Sequence, residues 1–349
     1  MIEINKKARP LIALIPDIEN WALANIAGQL NKHLSRYYEF RIIPMSTVND
    51  IIKLLYMVRD CDLVHFFWRG DLLSVFSPNA MNYYRDIGIT FNEFRRQIID
   101  NKPFSISVND HLYLDDQSLD INQKIFSIAA NYYVCSKKLY DIYCGKNFCP
   151  KPMAVLEDGV DTALFSPRNT ERLNKLAGRK LIVGWSGNSK WCSFIEDFKG
   201  VNTVLKPALK QLQDEGRPVD FHFADRSEGM IPHDQMPEYY SKIDLYVCTS
   251  KIEGTPNPVM EAMACGVPVI STDVGVVPQV FGEKQKEFIL KERSIECLKE
   301  AIIRLLENPH LLTELSHENL MQIKDWDWSI KAAAFKDYFD RCLSGFKRV

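Results

Sequence analysis

Two glutamates, Glu253 and Glu261, bracket a turn inside the run from Ser250 to Ile270, which reads as strand end, loop, helix, tight turn and strand. Asn257 is the expected N-cap of that helix, and Pro258 suits its first position, where a missing N–H costs nothing. Gly266 is expected to stop the helix before the apolar Val267–Ile270. The amides of Gly254 and Thr255 and of the helix start after Pro256 would then face outward together. Unpaired N–H groups and the helix dipole both favour an anion there. A phosphate flanked by two carboxylates suits a ligand that joins phosphate to polyols: the amides take the charge, and each carboxylate accepts hydroxyl hydrogen bonds. Taken singly, Glu261 reads equally well as a dipole complement and Glu253 as a solvated residue. The whole constellation carries more than its parts.

Short apolar runs alternate with amphipathic stretches along most of the chain. In the first half, Leu11–Ile15, Phe40–Ile43, Leu63–Phe67, Phe104–Val108, Tyr132–Val134 and Met153–Leu156 read as strands. In the second half, Leu181–Trp185, Val219–Phe223, Leu245–Val247, Val267–Ser271 and Phe288–Leu290 do so. Helix-like segments such as Ala22–Tyr37, Asp50–Arg59, Val201–Glu215 and Ser294–Leu306 lie between them. Near-continuous apolar strands alternating with helices predict parallel sheets covered on both faces. The segment Phe165-Ser166-Pro167-Arg168-Asn169-Thr170, with the polar stretch to Lys180, is the candidate linker. Two α/β halves imply a ligand cleft at the C-terminal edges of their strands. The aromatic-rich stretch from Asp325 through Ala332–Phe346 reads as a separate final helix that simply packs.

A length of 349 residues suggests two domains. With 43 basic and 45 acidic residues the net charge is −2, and the longest charged tail is Lys347-Arg348. A nucleic-acid partner is therefore not expected. The nine cysteines include no CxxC spacing, and several sit in apolar runs, which predicts free thiols in a reducing compartment. Lys6, Lys7 and Arg9 precede an apolar stretch in the manner of a secretory signal, but Leu11–Ile15 is too short and Pro16-Asp17 stops it. No run reaches the roughly 18 apolar residues of a bilayer span. A cytoplasmic location is expected.

Glu253 and Glu261, with seven residues between them and followed by Ala-Met-Ala-Cys-Gly-Val-Pro-Val-Ile, resemble the E-x7-E motif of the retaining GT-B glycosyltransferases of family GT4. Val155–Pro167, containing Glu157-Asp158-Gly159-Val160-Asp161, is similar to the family's NGVDTxxFxP segment, with Asp158 in place of Asn. Leu181–Gly187 resembles the first strand and glycine loop of its second domain, Lys199-Gly200 its Lys-Gly pair, and Met236–Val247 the stretch before E-x7-E. The likeness is dense from about 132 to 281 and mostly topological in the first 130 residues.

The resemblance implies a GT-B fold: two Rossmann-like α/β domains facing each other across a cleft. Residues 1–167 would form the acceptor domain and residues 168–326 the nucleotide-sugar domain, with helix 327–349 packing back on the first. It implies retaining transfer of a hexose-type unit from a nucleotide-diphosphate sugar to an acceptor hydroxyl, in surface polysaccharide or glycoconjugate synthesis. Glu261 would hold ribose hydroxyls, Glu253 sugar hydroxyls, and Lys199 the diphosphate, with Gly187, Gly254, Thr255, Pro256 and Asn257 completing the donor site. Where the family commonly has an arginine, this chain has Asn188, which supplies no charge, and Lys190 reads as an ordinary surface lysine.

His111, after the strand Phe104–Val108, is the candidate for the family's sugar-contacting histidine, and His65 reads as a core or cleft residue. Asn20 and Trp21 are acceptor candidates, because Pro16–Ala22 replaces the family's glycine pair. The Asp325-Trp326-Asp327 pair reads as a helix start, so no divalent metal and no cofactor beyond the co-substrate is expected. The acceptor would be a saccharide or lipid-linked saccharide. Phe66-Phe67-Trp68 and Leu72–Phe76 are candidates for an acceptor cleft or a peripheral contact at the inner membrane face, with buried core the expected fate of most. Two other readings are a GT-B epimerase or phosphorylase, and a degenerate transferase serving as a sugar-nucleotide-binding scaffold subunit.

Overall fold

The computed structural model describes residues 9–129 and 131–346. Lys6, Lys7, Ala130 and the Lys347-Arg348 pair lie outside them. The chain divides into two units: one runs up to Glu157 and resumes at Lys331, and the other is Asp158–Ile330.

The first unit holds a six-stranded sheet of β1 (Leu11–Ile15), β2 (Glu39–Ile42), β3 (Leu63–Phe66), β4 (Phe104–Val108), β5 (Asn131–Val134) and β6 (Ala154–Val155). Their order is β2-β1-β3-β4-β5-β6, and every pairing is parallel. The central strands are apolar on both faces, and Ile12, Ile15, Val64, Phe66, Ile106 and Val108 are fully buried. This is what helices covering both sides of a parallel sheet require. The last helix, Trp328–Ser344, sends Tyr338 and Phe339 onto this unit: the Phe339 ring lies edge-on to Tyr38 at 6.0 Å, and Tyr338 lies edge-on to Tyr133 at 5.3 Å.

The second unit holds β7 (Leu181–Gly187), β8 (Val219–Asp225), β9 (Leu245–Cys248), β10 (Val269–Thr272) and β11 (Ile289–Leu290), in the order β11-β10-β9-β7-β8 and again all parallel. The strand order reverses between β7 and β9 here, and between β1 and β3 in the first unit. At such switch points adjacent loops diverge to opposite faces and leave a crevice at the C-terminal strand ends.

Residues 165–180 are not a linker. Phe165 is buried in the second unit's core, and the short helical turn Thr170–Lys175 buries Leu173. The polar stretch that follows owes its character to Asp244, a fully buried carboxylate. Arg172 Nε at 2.8 Å, Arg179 Nη1 at 2.6 Å and the Ile182 amide at 2.8 Å all donate to it. The unit boundary accordingly falls at Glu157/Asp158 rather than 167/168, because Val160 bridges to Asp327 within the second unit. Glu157, on the other side of that boundary, accepts Lys331 at 2.7 Å. All nine cysteines are free thiols. Among the described residues no helix is long and apolar enough to cross a membrane.

Candidate active site

The C-terminal ends of β7 and β9, at the second unit's switch point, carry the two loops that hold Lys199 and Glu253. Lys199 Nζ lies 2.6 Å from Glu253 Oε1, the side chains being 21% and 18% exposed. Ser250 Oγ donates to the same carboxylate oxygen at 2.7 Å, and the Lys199 ammonium stands 5.0 Å from the centre of the Trp191 ring. Burial pulls the Lys199 ammonium toward deprotonation, but the charge and hydrogen bond of Glu253 outweigh it and hold it above its ordinary value.

The backbone explains why these residues meet. Gly200 sits at φ +70, and a Cβ there would stand 2.4 Å from the Thr249 carbonyl oxygen, so the loop closes only on glycine. Thr249 Oγ1 donates to the Lys199 carbonyl at 2.9 Å, and the Lys251 amide donates to Phe198 O at 2.8 Å. Arg293 ties the same loops from outside, with Nε donating to Thr249 O at 2.8 Å and Nη2 to Asp197 O. Arg293 carries no motif signal.

The helix Asn257–Ala264 follows Glu253, but its start differs from the expected one. Pro256 is the N-cap, Asn257 and Pro258 are the first two helical residues, and Glu261 therefore falls in the second turn. The amides of Asn257 and Val259 donate to Thr255 O and Pro256 O, each at 2.9 Å, and Pro258 has none. The first three helical positions therefore have little donor capacity left for an anion, which moves that task to the preceding loop and to Lys199. Gly254 is held from below: its carbonyl accepts the Val276 amide at 3.1 Å, and a Cβ on Gly275 would stand 1.9 Å from that oxygen. Gly275 is a second residue that sequence reasoning passed over. Asn257 Oδ1 is buried without a hydrogen-bond partner.

Glu261 belongs to a separate cluster. Its Oε2 accepts Tyr240 OH at 2.8 Å and its Oε1 lies 3.1 Å from His233 Nε2, with the glutamate side chain 12% exposed. Tyr240 is fully buried, whereas His233 sits on the short turn His233–Gln235 with its ring edge-on to Phe165 at 5.1 Å. Burial alone would lower the His233 pKa; the hydrogen bond and charge of Glu261 reverse the direction and raise it. His233 lies in a run that reads only as a polar loop.

Gly187 ends β7 at φ +151, and Asn188 is spent locally, its Oδ1 accepting the Lys190 amide at 3.0 Å. Lys190 is exposed. The neighbouring loop after β8 is joined to this one through Arg226 N donating to Gly187 O at 2.8 Å and Ser189 N to Asp225 Oδ1 at 3.2 Å.

In the first unit, His111 is half-buried in the loop after β4. That loop is fixed by a buried ion pair that sequence reasoning missed. Arg69 Nη2 lies 2.6 Å from Asp110 Oδ1 and also donates to Leu112 O at 2.8 Å. Tyr143 OH donates to Asp110 O at 3.2 Å. His65 is a core residue, fully buried, with Nδ1 2.8 Å from Ser105 Oγ and its ring stacked on Tyr133 at 5.5 Å. Burial holds its pKa down at about 3. Asn20 is exposed with φ +60, and Trp21 is the N-cap of the helix Ala22–Leu34. Phe66, Phe67, Leu72 and Val75 are core, while Trp68, Leu73 and Phe76 are half-buried.

Asp327 begins the last helix: Oδ1 accepts the Ser329 amide at 2.8 Å and Oδ2 accepts Thr162 Oγ1 at 2.5 Å. A further Asp-x-Asp, Asp60-Cys61-Asp62, is equally structural, Asp60 pairing with Arg41 at 2.6 Å and Asp62 accepting the Leu11 amide at 2.8 Å.

Residues 227–320, which include Glu261, His233 and Arg293, match the model of the family described as glycosyl transferases group 1. Over that stretch the chain is similar to the group 1 glycosyl transferases. Among sequence relatives, the putative teichuronic acid biosynthesis glycosyltransferase TuaC of Bacillus subtilis is 45% identical over 76 residues, 22% of this chain and 19% of that protein. The MMP alpha-(1->4)-mannosyltransferase of Mycolicibacterium hassiacum is 23% identical over 221 residues, 60% of this chain and 54% of the other. These matches span from about a fifth to about half of the relatives' length.

Solved structures resemble the whole chain. Sucrose-phosphate synthase from Thermosynechococcus elongatus aligns with TM-score 0.71 at 16% identity, covering 97% of this chain and all of that one (100%). Anabaena HepE in complex with UDP and glucose aligns with TM-score 0.63 at 13% identity, covering 94% and 99%. At these identities the likeness is one of fold, two Rossmann-like parallel units of the GT-B class. The matched stretch holds Glu253 and Glu261 on either side of the Pro256 turn, and Lys199 reaches Glu253 from the loop after β7.

Proposed function

We propose that this chain is a retaining glycosyltransferase that moves a hexose-type unit from a nucleotide-diphosphate sugar to a saccharide hydroxyl, in the assembly of a surface polysaccharide or glycoconjugate. The observation that carries the reading is the Lys199–Glu253 pair, a nearly buried ammonium and carboxylate 2.6 Å apart beside a glycosyltransferase helix. Departure of the diphosphate from a developing oxocarbenium dominates the barrier. Lys199 meets the growing negative charge on the leaving group, and a fixed cation in a poorly solvated site stabilises such charge more than water does. Glu253 accepts hydroxyls of the transferred sugar, and Glu261, steadied by Tyr240, accepts those of the ribose. Neither acts as a nucleophile, so the paired-carboxylate logic of glycosidases does not apply.

His111, on a loop braced by Arg69 and Asp110, is the sugar-contacting histidine of this reading, and Asn20 and Trp21 are its acceptor residues. Because Asn188 is neutral, Lys199 carries the diphosphate without a second cation from that position and without a divalent metal. UDP and glucose in the HepE complex make UDP-glucose the first donor to test, and the relatives' names, from teichuronic acid to O-antigen synthesis, support a polysaccharide acceptor. Reaction takes place at the cytoplasmic side, where sugar nucleotides are available.

The deciding experiment incubates the protein with UDP-, GDP- and ADP-sugars and oligosaccharide acceptors, without added metal, and follows the anomeric proton of the product by NMR. A glycoside that keeps the donor's anomeric configuration supports the reading. Epimerised or phosphorolysed sugar overturns it, and nucleotide binding without turnover would favour a scaffold role that the neutral Asn188 also fits.

A further inference from the structure

The first unit contains a cavity of about 570 Å³, lined by none of Lys199, Glu253, Glu261, His111, Asn20 and Trp21 and touching the Leu72–Phe76 run only at Ser74. It lies between the segment after β2, made of the short helix Met45–Val48 and the helix Ile51–Met57, and the segment after β3 that runs from Ser74 to the helix Pro78–Asp86. Its size falls within the roughly 300–1,000 Å³ of small-molecule pockets. We infer that this cavity is a saccharide-binding subsite, which holds sugar units of the acceptor beyond the one that is glycosylated. The inference rests on the transferase reading above for the word acceptor, and on the cavity alone for the word saccharide.

The lining decides the ligand class. Tyr56 and Tyr83 enter it from facing segments with their hydroxyls 3.5 Å apart, offering amphipathic rings suited to the C–H face of a pyranose. Asp50, Lys53, Asn49 and Asn79 surround them with donors and acceptors of both kinds. One carboxylate against one ammonium leaves no net charge to select a phosphate, and amides, hydroxyls and charges interleaved with Met45, Ile51, Ile52 and Ala80 suit an amphipathic ring better than an acyl chain. Neutral polyols satisfy it best.

The rim is also built to stay in shape. Asp50 Oδ1 caps the helix Ile51–Met57 by accepting the Ile52 amide at 2.9 Å, and Ser77 Oγ accepts the Ala80 amide at 3.2 Å. Asn49 takes φ +53 and donates from Nδ2 to Ser46 O at 2.8 Å. A preformed wall of this kind lowers the ordering cost of binding.

Location supports the same occupant. The amides of Met45 and Ser46 donate to Pro16 O at 2.8 Å and Asp17 O at 2.9 Å, and the Glu19 amide donates to Ser46 Oγ at 3.2 Å. The cavity's Met45 wall is therefore stitched to the loop after β1 that carries Asn20 and Trp21. A chain of sugars meeting that loop with its reactive end can lay its next units into the cavity.

The test uses the full chain, mannotriose as the probe, and saturation-transfer NMR without donor. Mannotriose signals are expected for the wild type and for Tyr83→Phe, with at least a tenfold loss of affinity in Tyr83→Ala and in Asn79→Ala. UDP affinity by calorimetry should stay within twofold in all three variants, and their circular dichroism and amide NMR dispersion should match the wild type, which shows that the first unit folds. Equal mannotriose binding by Tyr83→Ala, no binding by the wild type, or preference of the cavity for glycerol phosphate overturns the inference. If UDP fails to bind while mannotriose binding still depends on Tyr83, the transferase reading falls and the saccharide site stands.

Discussion

Lys199 and Glu253 neutralise each other across 2.6 Å, and Ser250 Oγ shares the same carboxylate oxygen at 2.7 Å. On the proposed function, a diphosphate at Lys199 is expected to compete with Glu253 for the ammonium, leaving the carboxylate to accept a sugar hydroxyl. The contact holds both side chains in place and favours the charged form of Lys199. Lys199→Ala is expected to lower kcat/KM by about 10²–10³, the scale of losing one preorganised donor to a developing anion. Glu253→Gln should tighten UDP binding, because the charge that competes for Lys199 is gone, while lowering turnover, because the acceptor of the sugar hydroxyls is weakened. Steady-state kinetics combined with calorimetry on UDP and UDP-glucose checks both.

His233 titrates against Glu261. Its folded pKa is raised above the unfolded 6.5, so the stabilisation it gives is complete below that value and fades as pH rises through the folded pKa. The charged groups that act on it are Glu261, Asp161 and Asp234, all acidic. Protonated His233 holds Glu261 Oε1 most tightly and competes with a ribose hydroxyl. UDP affinity should therefore rise from pH 6 to pH 8 in the wild type and stay flat in His233→Gln. Calorimetric titrations at several pH values decide this, and a flat wild-type profile would remove His233 from the account.

His65 should act as an acid fuse for the first unit. Its pKa is about 3 in the fold against 6.5 unfolded, so the unfolded chain binds the extra proton and stability falls as pH drops below 6.5. At about 1.4 kcal/mol for each unit, about 3 kcal/mol is lost by pH 4.5. His65→Leu gives up the Ser105 hydrogen bond and is expected to be slightly less stable at pH 7.5, yet its urea midpoint should fall less on acidification than that of the wild type.

Three glycines with positive φ separate strain from collision. Gly216, at φ +73, has no atom within 4 Å of the place a Cβ would take, whereas a Cβ on Gly200 meets Thr249 O at 2.4 Å and one on Gly275 meets Gly254 O at 1.9 Å. Gly216→Ala should cost only the left-handed penalty of about 1–2 kcal/mol. Gly200→Ala and Gly275→Ala should cost more than that and should also weaken UDP binding, because the displaced carbonyls belong to the loops that carry Lys199 and Glu253. Thermal unfolding with and without UDP distinguishes the two classes.

Most of the secondary structure was legible because period and punctuation agree. Leu11–Ile15 and Phe104–Val108 are strands with the bounds that the apolar runs suggest, and the final helix starts at an Asp327 that reads as a cap. The segment 165–180 misled because a buried carboxylate, Asp244, draws in two arginines, and a polar stretch serving an interior charge reads like a linker. The start of the helix at Asn257 shifted by one residue because Pro256, which lacks a side-chain acceptor, takes the capping position. Within the candidate site, Glu253 and Glu261 stand out by their spacing and Lys199 by the resemblance to the Lys-Gly pair, and the fold brings Lys199 onto Glu253. His233, Tyr240, Arg293 and Gly275 do not stand out, because they reach the site through long-range contacts that local sequence does not encode. The pairing of Arg69 with Asp110, 41 residues apart, was hidden for the same reason.

The most direct measurement is a crystal structure of the chain soaked with UDP. The ribose hydroxyls are expected within hydrogen-bond distance of the Glu261 carboxylate and the β-phosphate on Lys199 Nζ, with the Lys199–Glu253 contact lengthened. UDP bound away from Glu261 and Lys199, or a 2.6 Å pair undisturbed beneath an empty pocket at saturating nucleotide, would contradict it.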